Sequence, residues 1–330
     1  MNEFETQCKY NLAETCVASL TVEELINLSG KGNSILEELL PMKLTYGEIE
    51  GSMRLRESIS TLYQNQTIEN IVVTHGAIGA NALVHETMVS EGDHVISICP
   101  TYQQHYSIPE SYGAEVEILW LKPENNFLPD LIELKSMLRS NTKLIVLNNP
   151  NNPTGALMMD EYLNNFIDVI APSGAYVLCD EVYRGTNQEG TGFAPAMADI
   201  YDKGISVSSM SKVFSLAGIR LGWIAGPREV LESVMIRRDY NTISVGMIDD
   251  YFASLALENK EKIIERSQNI TRGNLKILDE WVSNEPSITY IKPKSGTTAL
   301  LRYDLEMTSR DLCIQLLQNT GVMFTPGSVM

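Results

Sequence analysis

Ser209-Met210-Ser211-Lys212-Val213-Phe214-Ser215-Leu216-Ala217-Gly218-Ile219-Arg220-Leu221-Gly222 sets one primary amine, Lys212, between a hydroxyl three residues before it and a guanidinium eight residues after it. Short β-branched segments flank the run, Ile205 to Ser208 before it and Leu221 to Ala225 at its end, and both read as strands. An amine, a hydroxyl and a guanidinium grouped at strand ends suit an aldehyde ligand that also carries a phosphate. The amine condenses with the aldehyde while the other two groups hold the phosphate. Taken alone, the run also reads as a basic loop with ordinary serines, so the surrounding segments decide.

Working outward, further strand-like runs occur at Ile71 to Thr74, His94 to Ile98, Val116 to Trp120, Lys143 to Leu147 and Tyr176 to Cys179. Between them lie stretches of helical period, such as Ala77 to Ser90, with Ala77, Ala80, Leu83, Val84 and Met88 on one stripe, and Asp160 to Ile170. Alternating strands and helices predict an α/β fold with a mostly parallel sheet flanked by helices. Ligands in such folds bind beyond the carboxyl ends of the strands. Three polar segments directly follow predicted strands: Asn149 to Gly155, Asp180 to Tyr183 and Ser209 to Arg220. They are expected to converge there. Beyond Arg228 the texture changes to a long helical region, Ile248 to Trp281, broken by Asn and Gly. Strand-like pieces at Ile288 to Ile291 and Thr298 to Leu301 follow, then a helix from Thr308 to Asn319, which together read as a smaller α+β domain.

The 330 residues suffice for one large core and a satellite. Apolar runs fall well short of the roughly 20 residues of a membrane span. Met1 to Glu5 has neither a basic nor an apolar leader region, so a cytoplasmic location is the default. Cys8, Cys16, Cys99, Cys179 and Cys313 are scattered, odd in number and without metal spacing, and read as free thiols. His75, His85, His94 and His105 likewise lack ligand spacing, so no metal is expected. A formal net charge of −17 argues against nucleic acid and anionic membranes as partners. It leaves open a phosphate held by a few local donors.

The order and spacing of Asn149-Pro150-Asn151-Asn152-Pro153-Thr154-Gly155, Asp180-Glu181-Val182-Tyr183 and the Lys212 run resemble the class I/II aminotransferases, pyridoxal-phosphate (PLP) enzymes of fold type I. The resemblance runs from about Gly30 to the C-terminus. It implies that Lys212 forms the Schiff base with pyridoxal 5'-phosphate and later shuttles the proton between Cα and C4′. Asp180, costly at a buried strand end unless it meets a cation, is then the partner of the protonated pyridine nitrogen. Tyr183 and Asn152 fall where the family contacts the ring oxygen O3′, and Asn152 also helps hold the substrate carboxylate. Gly76, Ala77 and Ile78 open a helix whose free N–H groups suit the phosphate, with Ile78 giving backbone only. Ser209 and Arg220 complete that cup. Tyr102 matches an aromatic residue stacked on the ring, and Tyr46 a tyrosine that crosses to the neighbouring subunit's phosphate. A homodimer with shared sites follows from that match. Gly30 is expected to line the substrate entry through its backbone.

Two further expectations rest on the resemblance. The N-terminal segment should join the smaller domain, giving a large PLP-binding domain over 41–245 and a small domain from 1–40 and 246–330. Family members continue past a Pro-Gly element to an arginine that grips the substrate α-carboxylate. Here that element is Pro326-Gly327, the chain stops at Met330 and the arginine is absent, which reads as a truncated end rather than a lost anchor. The implied activity is transfer of an amino group from an amino acid to a 2-oxo acid. A PLP-dependent lyase, cyclase or decarboxylase on the same fold is the alternative, because the substrate pocket decides the fate of the carbanion. A degenerate, non-enzymatic PLP-binding module is the third reading.

Overall fold

A computed structural model describes Phe4 and residues 6–329. Its strands are β1 (Tyr10–Asn11), β2 (Ile71–Thr74), β3 (His94–Cys99), β4 (Glu115–Trp120), β5 (Thr142–Asn148), β6 (Tyr176–Asp180), β7 (Gly204–Ser209), β8 (Gly222–Ala225), β9 (Ile288–Tyr290), β10 (Leu301–Tyr303) and β11 (Val322–Met323). Helices on the large-sheet side are α1 (Val22–Ser29), α2 (Ile35–Leu39), α3 (Met53–Ser60), α4 (Gly76–Met88), α5 (Gln104–Ser111), α6 (Leu131–Met137), α7 (Asp160–Ile170), α8 (Met197–Ile200), α9 (Arg228–Arg238) and α10 (Met247–Leu257). The long α11 (Lys260–Asn284) and then α12 (Ser309–Thr320) follow.

The seven long-range strands form one sheet in the order β2-β8-β7-β6-β5-β3-β4. Neighbours from β7 through β4 run parallel, and β8 is antiparallel to both β7 and β2. The strands β3, β5 and β6 are buried almost throughout because both faces are covered. One face packs Leu83, Val84, Val95, Leu144 and Ile224 against α4 and α9. The other packs Ile96, Ile145, Val177, Leu163 and Phe166 under α7. The helix α7 places Leu163, Phe166 and Ile170 on one buried stripe, at the spacing that predicted it.

The two chain ends meet: β1 pairs in parallel with β11, with Tyr10 opposite Val322 and Asn11 opposite Met323. The divisions expected at 40/41 and 245/246, by contrast, pass through a continuous apolar cluster. Leu25 and Ile35 share it with Leu55, Ile59 and Trp223, and with Tyr251, Leu255 and Ile263. The apolar faces of α1, α2 and α10 are buried there on the large sheet's side.

The long helical region breaks at Glu258–Asn259, at an Asn as expected, giving two helices. One local expectation needs correction. The strand read at Thr298 to Leu301 begins only at Leu301, where β10 pairs antiparallel with β9. The residues before it bond elsewhere: the Lys294 and Ser295 N–H groups donate to the Gly155 carbonyl, and Thr297 Oγ1 donates to the Thr15 carbonyl. Those tertiary bonds replace a ladder that β-branched residues alone would favour. No described helix is long and apolar enough to cross a membrane.

Candidate active site

A cavity of about 250 Å³ opens at the carboxyl ends of β5, β6 and β7, where parallel sheets gather loop residues. Its walls include Ala77, Ile78, Tyr102, Asn152, Asp180, Tyr183, Ser209, Lys212 and Arg220. Segments separated by more than a hundred residues in sequence thus meet at one opening. Asp180 and Lys212, the pair on which the sequence reading depends, both line it.

Asp180 is the last residue of β6 and only 6% exposed. A buried carboxylate persists only where donors surround it. Asn81 Nδ2 of α4 donates to Asp180 Oδ2 at 2.9 Å, and the Val182 N–H donates to Oδ1 at 3.1 Å. His105 Nε2 stands 3.6 Å from Oδ2. The neighbouring β5 ends on Asn148, directly opposite Asp180 in register. Asn148 Nδ2 donates to the Asp180 carbonyl at 2.7 Å, while its Oδ1 accepts the Asn152 N–H at 2.6 Å. One side chain therefore ties the strand end to the Asn-Pro-Thr-Gly loop. Asn152 Oδ1 is buried without a hydrogen-bond partner, and such an atom calls for a ligand in the cavity it faces.

Tyr183 is buried, and burial pushes its phenol well above the ordinary tyrosine range, partly offset by the hydroxyls of Thr15 and Thr297. It is a neutral hydroxyl near neutral pH, able to donate. Lys212 follows β7; its Nζ lies 5.9 Å from the Tyr183 ring centroid and donates to Thr15 Oγ1 at 2.6 Å.

The opposite end of the cavity is built for an anion. Helix α4 starts at Gly76, and His75 makes no side-chain capping bond, so the first-turn N–H groups have no cap of their own. At Gly222 a Cβ would stand 2.4 Å from the Gly76 carbonyl carbon and 2.6 Å from the Ala77 nitrogen. Only glycine lets β8 approach the turn that closely. A Cβ added at Gly76 would lie 3.0 Å from Arg220 Nη2, which puts the guanidinium directly over that turn. Ser209 and Ser211 complete the rim. An aldehyde ring with a phosphate tail fits this layout: an amine and an unpaired amide oxygen at one end, a carboxylate on the floor, and a glycine-lined cup with a guanidinium at the other. Among the described residues no group of His, Cys, Asp and Glu suits a metal ion.

Two expected residues lie off this wall. Gly30 is the left-handed C-cap of α1, with φ 72°, and does not line the cavity. The Ser29-Gly30-Lys31-Gly32 pattern is a helix stop, the ordinary role of glycine at that position. Tyr46 is 77% exposed and likewise absent from the wall of its own subunit's cavity. Sequence reasoning missed Thr15, Cys16, Asn81, Gln104, Asn148 and Ser211. A signal existed for Asn148 and Ser211, since each sits beside a motif already singled out. For Thr15 and Cys16 there was none.

The chain belongs to the family of class I and II aminotransferases, whose model matches residues 35–330. The solved structure of a PLP-dependent aminotransferase from Streptococcus suis is 43% identical, with a TM-score of 0.96 over 99% of this chain and 87% of that one. Capreomycidine synthase of Streptomyces vinaceus is 29% identical, over 98% of this chain and 83% of its own length. Aspartate aminotransferase of Pyrococcus horikoshii is 28% identical, over 84% and 73%.

Proposed function

We propose that the protein is a pyridoxal-phosphate-dependent aminotransferase that moves an amino group from an amino acid to a 2-oxo acid, with Lys212 as its cofactor-linked base. The observation that carries this reading is the meeting of Lys212 and Asp180 on one cavity that also holds a glycine-lined anion cup. When bound, pyridoxal phosphate supplies an electrophilic aldehyde and a ring that takes up the electron pair of a broken bond at the substrate's α-carbon. The chain's own residues do the rest. Asp180, oriented by Asn81, gives a buried negative charge to a protonated ring nitrogen. Tyr183 would donate its hydroxyl to the ring oxygen, and Asn152 would donate its amide N–H there while its unpartnered Oδ1 accepts from the ligand. Ser209, Arg220 and the N–H groups of Gly76, Ala77 and Ile78 would grip the phosphate, and Tyr102 would cover the ring face. Lys212 takes a proton from the substrate and returns it elsewhere.

The same reading includes a homodimer. Leu44 and Tyr46 are 75% and 77% exposed. Their loop lies against the segment after α9: Arg238 donates to the Ile49 carbonyl, and Gly47 abuts Val245. Tyr240, Ile243 and Ile248 are exposed alongside. A monomer seldom leaves so continuous an apolar patch in water. We infer that a second copy covers it and that Tyr46 reaches the partner's phosphate cup. A cytoplasmic location belongs to the same reading, and no disulfide occurs among the described residues.

Borohydride reduction of the yellow protein followed by peptide mapping is expected to find the cofactor fixed on Lys212. Incubation with amino acids is expected to yield a keto acid and pyridoxamine phosphate. Lys212→Ala should lower turnover on the order of 10⁴-fold while leaving some cofactor bound. A label on any other lysine, or full activity of Lys212→Ala, overturns the assignment. Capreomycidine synthase among the relatives keeps a second outcome open: ammonia, carbon dioxide or a cyclic product formed without an acceptor would mark a lyase, decarboxylase or cyclase.

A further inference from the structure

The wall facing the sheet comes from the N-terminal segment, and it touches Lys212 directly. Lys212 Nζ donates to Thr15 Oγ1 at 2.6 Å and to Cys16 Sγ at 3.4 Å, and both acceptors line the cavity. Neither is free to drift. Glu14 Oε1 accepts the backbone N–H groups of Thr15 and Cys16 at 2.9 and 3.1 Å, which closes a tight elbow. Thr297 Oγ1 donates to the Thr15 carbonyl at 2.6 Å. The Thr15 hydroxyl also lies near enough to the buried phenol of Tyr183 to oppose the rise in its pKa. Burial pushes the Cys16 thiol above its ordinary range, with Lys212 opposing, so it stays a neutral, weak acceptor.

How well an amine carries a proton depends on where its lone pair points. A neutral lysine has two N–H bonds and one lone pair, and an ammonium has three N–H bonds. When two fixed acceptors take two of these positions, tetrahedral geometry sets the third. At Lys212 the two acceptors belong to the elbow, and the remaining position is left to the cavity. We propose that Thr15 and Cys16 are positioning residues for Lys212: by holding two of its N–H groups they aim the third position, lone pair or transferable proton, at the substrate carbon. This rests on the aminotransferase reading above, in which Lys212 accepts one proton and later gives it back, ending as it began. Thr15 is the stronger of the two, since a hydroxyl oxygen accepts from nitrogen far better than sulfur does.

The test uses holoenzyme with Thr15→Val, Thr15→Ser and Cys16→Ala, comparing kcat, KM and the isotope effect from an α-deuterated amino acid. A parallel measurement follows the rate at which cofactor-free protein captures added pyridoxal phosphate, which also depends on the aim of the amine. Thr15→Val is expected to lower kcat roughly 10- to 100-fold with little change in KM. Its isotope effect rises, capture of the cofactor slows, and Thr15→Ser restores all three. Cys16→Ala is expected to lower kcat by about threefold, as befits a weak acceptor. Wild-type kcat, isotope effect and capture rate in Thr15→Val overturn the proposal, as does failure of Thr15→Ser to restore them. Borohydride labelling separates the two levels. If Lys212 is labelled and Thr15→Val behaves as wild type, only the positioning role falls; if Lys212 is unlabelled in the wild type, the aminotransferase reading falls with it.

Discussion

The two walls of the cavity are held by different kinds of bond. On the sheet wall the strand ends are placed by the ladder, where register brings neighbours together: Asn148 opposite Asp180, Ser209 opposite Gly222, and Gly222 opposite Thr74. The N-terminal wall has no ladder behind it. Thr15 meets Lys212 across 197 residues of chain and Thr297 across 282, each through a single side-chain bond. Groups that must keep a fixed charge or hold a cofactor belong on the first kind of wall. Groups that only aim a neighbour can be placed by the second.

Substitutions on either side should separate these roles. Asp180→Asn keeps the shape of the floor but removes its charge, and turnover is expected to fall on the order of 10²- to 10³-fold. The size of the loss, read by steady-state kinetics, tests whether charge rather than shape is what the sheet wall provides. Arg220→Ala is expected to weaken cofactor affinity roughly 10- to 100-fold through loss of a charge-assisted bond to phosphate. Titration of visible absorbance measures it, and excess cofactor should restore most of the rate. Thr297→Ala loosens only the elbow, so kcat is expected to fall about fivefold, the worth of one hydrogen bond, with cofactor affinity unchanged. If Thr297→Ala instead released the cofactor, the distinction between the walls would fail.

The last effect concerns stability rather than rate, through the support beneath the sheet wall. Glu181 is buried next to Asp180, and its Oε1 accepts from the Met197 N–H and Ser206 Oγ, both at 2.7 Å. Desolvation raises its pKa from 4.5 to about 7, with Arg184 opposing. A group raised in the folded state adds stability that is complete below its unfolded pKa and lost as pH climbs through the folded one. Glu181 should therefore favour the fold most at acid pH and lose that contribution, up to about 3 kcal/mol, between 4.5 and about 7. Melting temperature against pH should slope less in Glu181→Gln, with little change in activity near neutrality.

Much of the sheet wall was legible from residue order alone. The period-2 and apolar runs located β2 to β8 to within a residue or two, and strand ends are where such folds put their chemistry. Asp180 at the end of β6, Asn152 after β5 and Lys212 after β7 stood out because each sits at or just past a predicted strand end, and Arg220 because it closes the same run just before β8. Gly30 misled, since glycine after a polar helix end serves equally as a cap. Thr298 misled because its segment bonds to Gly155 and Thr15 instead of forming a ladder. Asn81 looked like any polar residue in a helix until α4 turned it toward Asp180.

What residue order settled by itself was the set of layers and the strand ends that gather at the cavity, because hydrophobic period and strand-end placement are local properties written within ten or so residues. What only the folded chain decided was the second wall: that Thr297 would brace the Thr15 elbow, and that Thr15 and Cys16 would meet Lys212. Those contacts join segments hundreds of residues apart through lone side-chain bonds, and no local pattern encodes a pairing whose two halves become neighbours only after the sheet has formed.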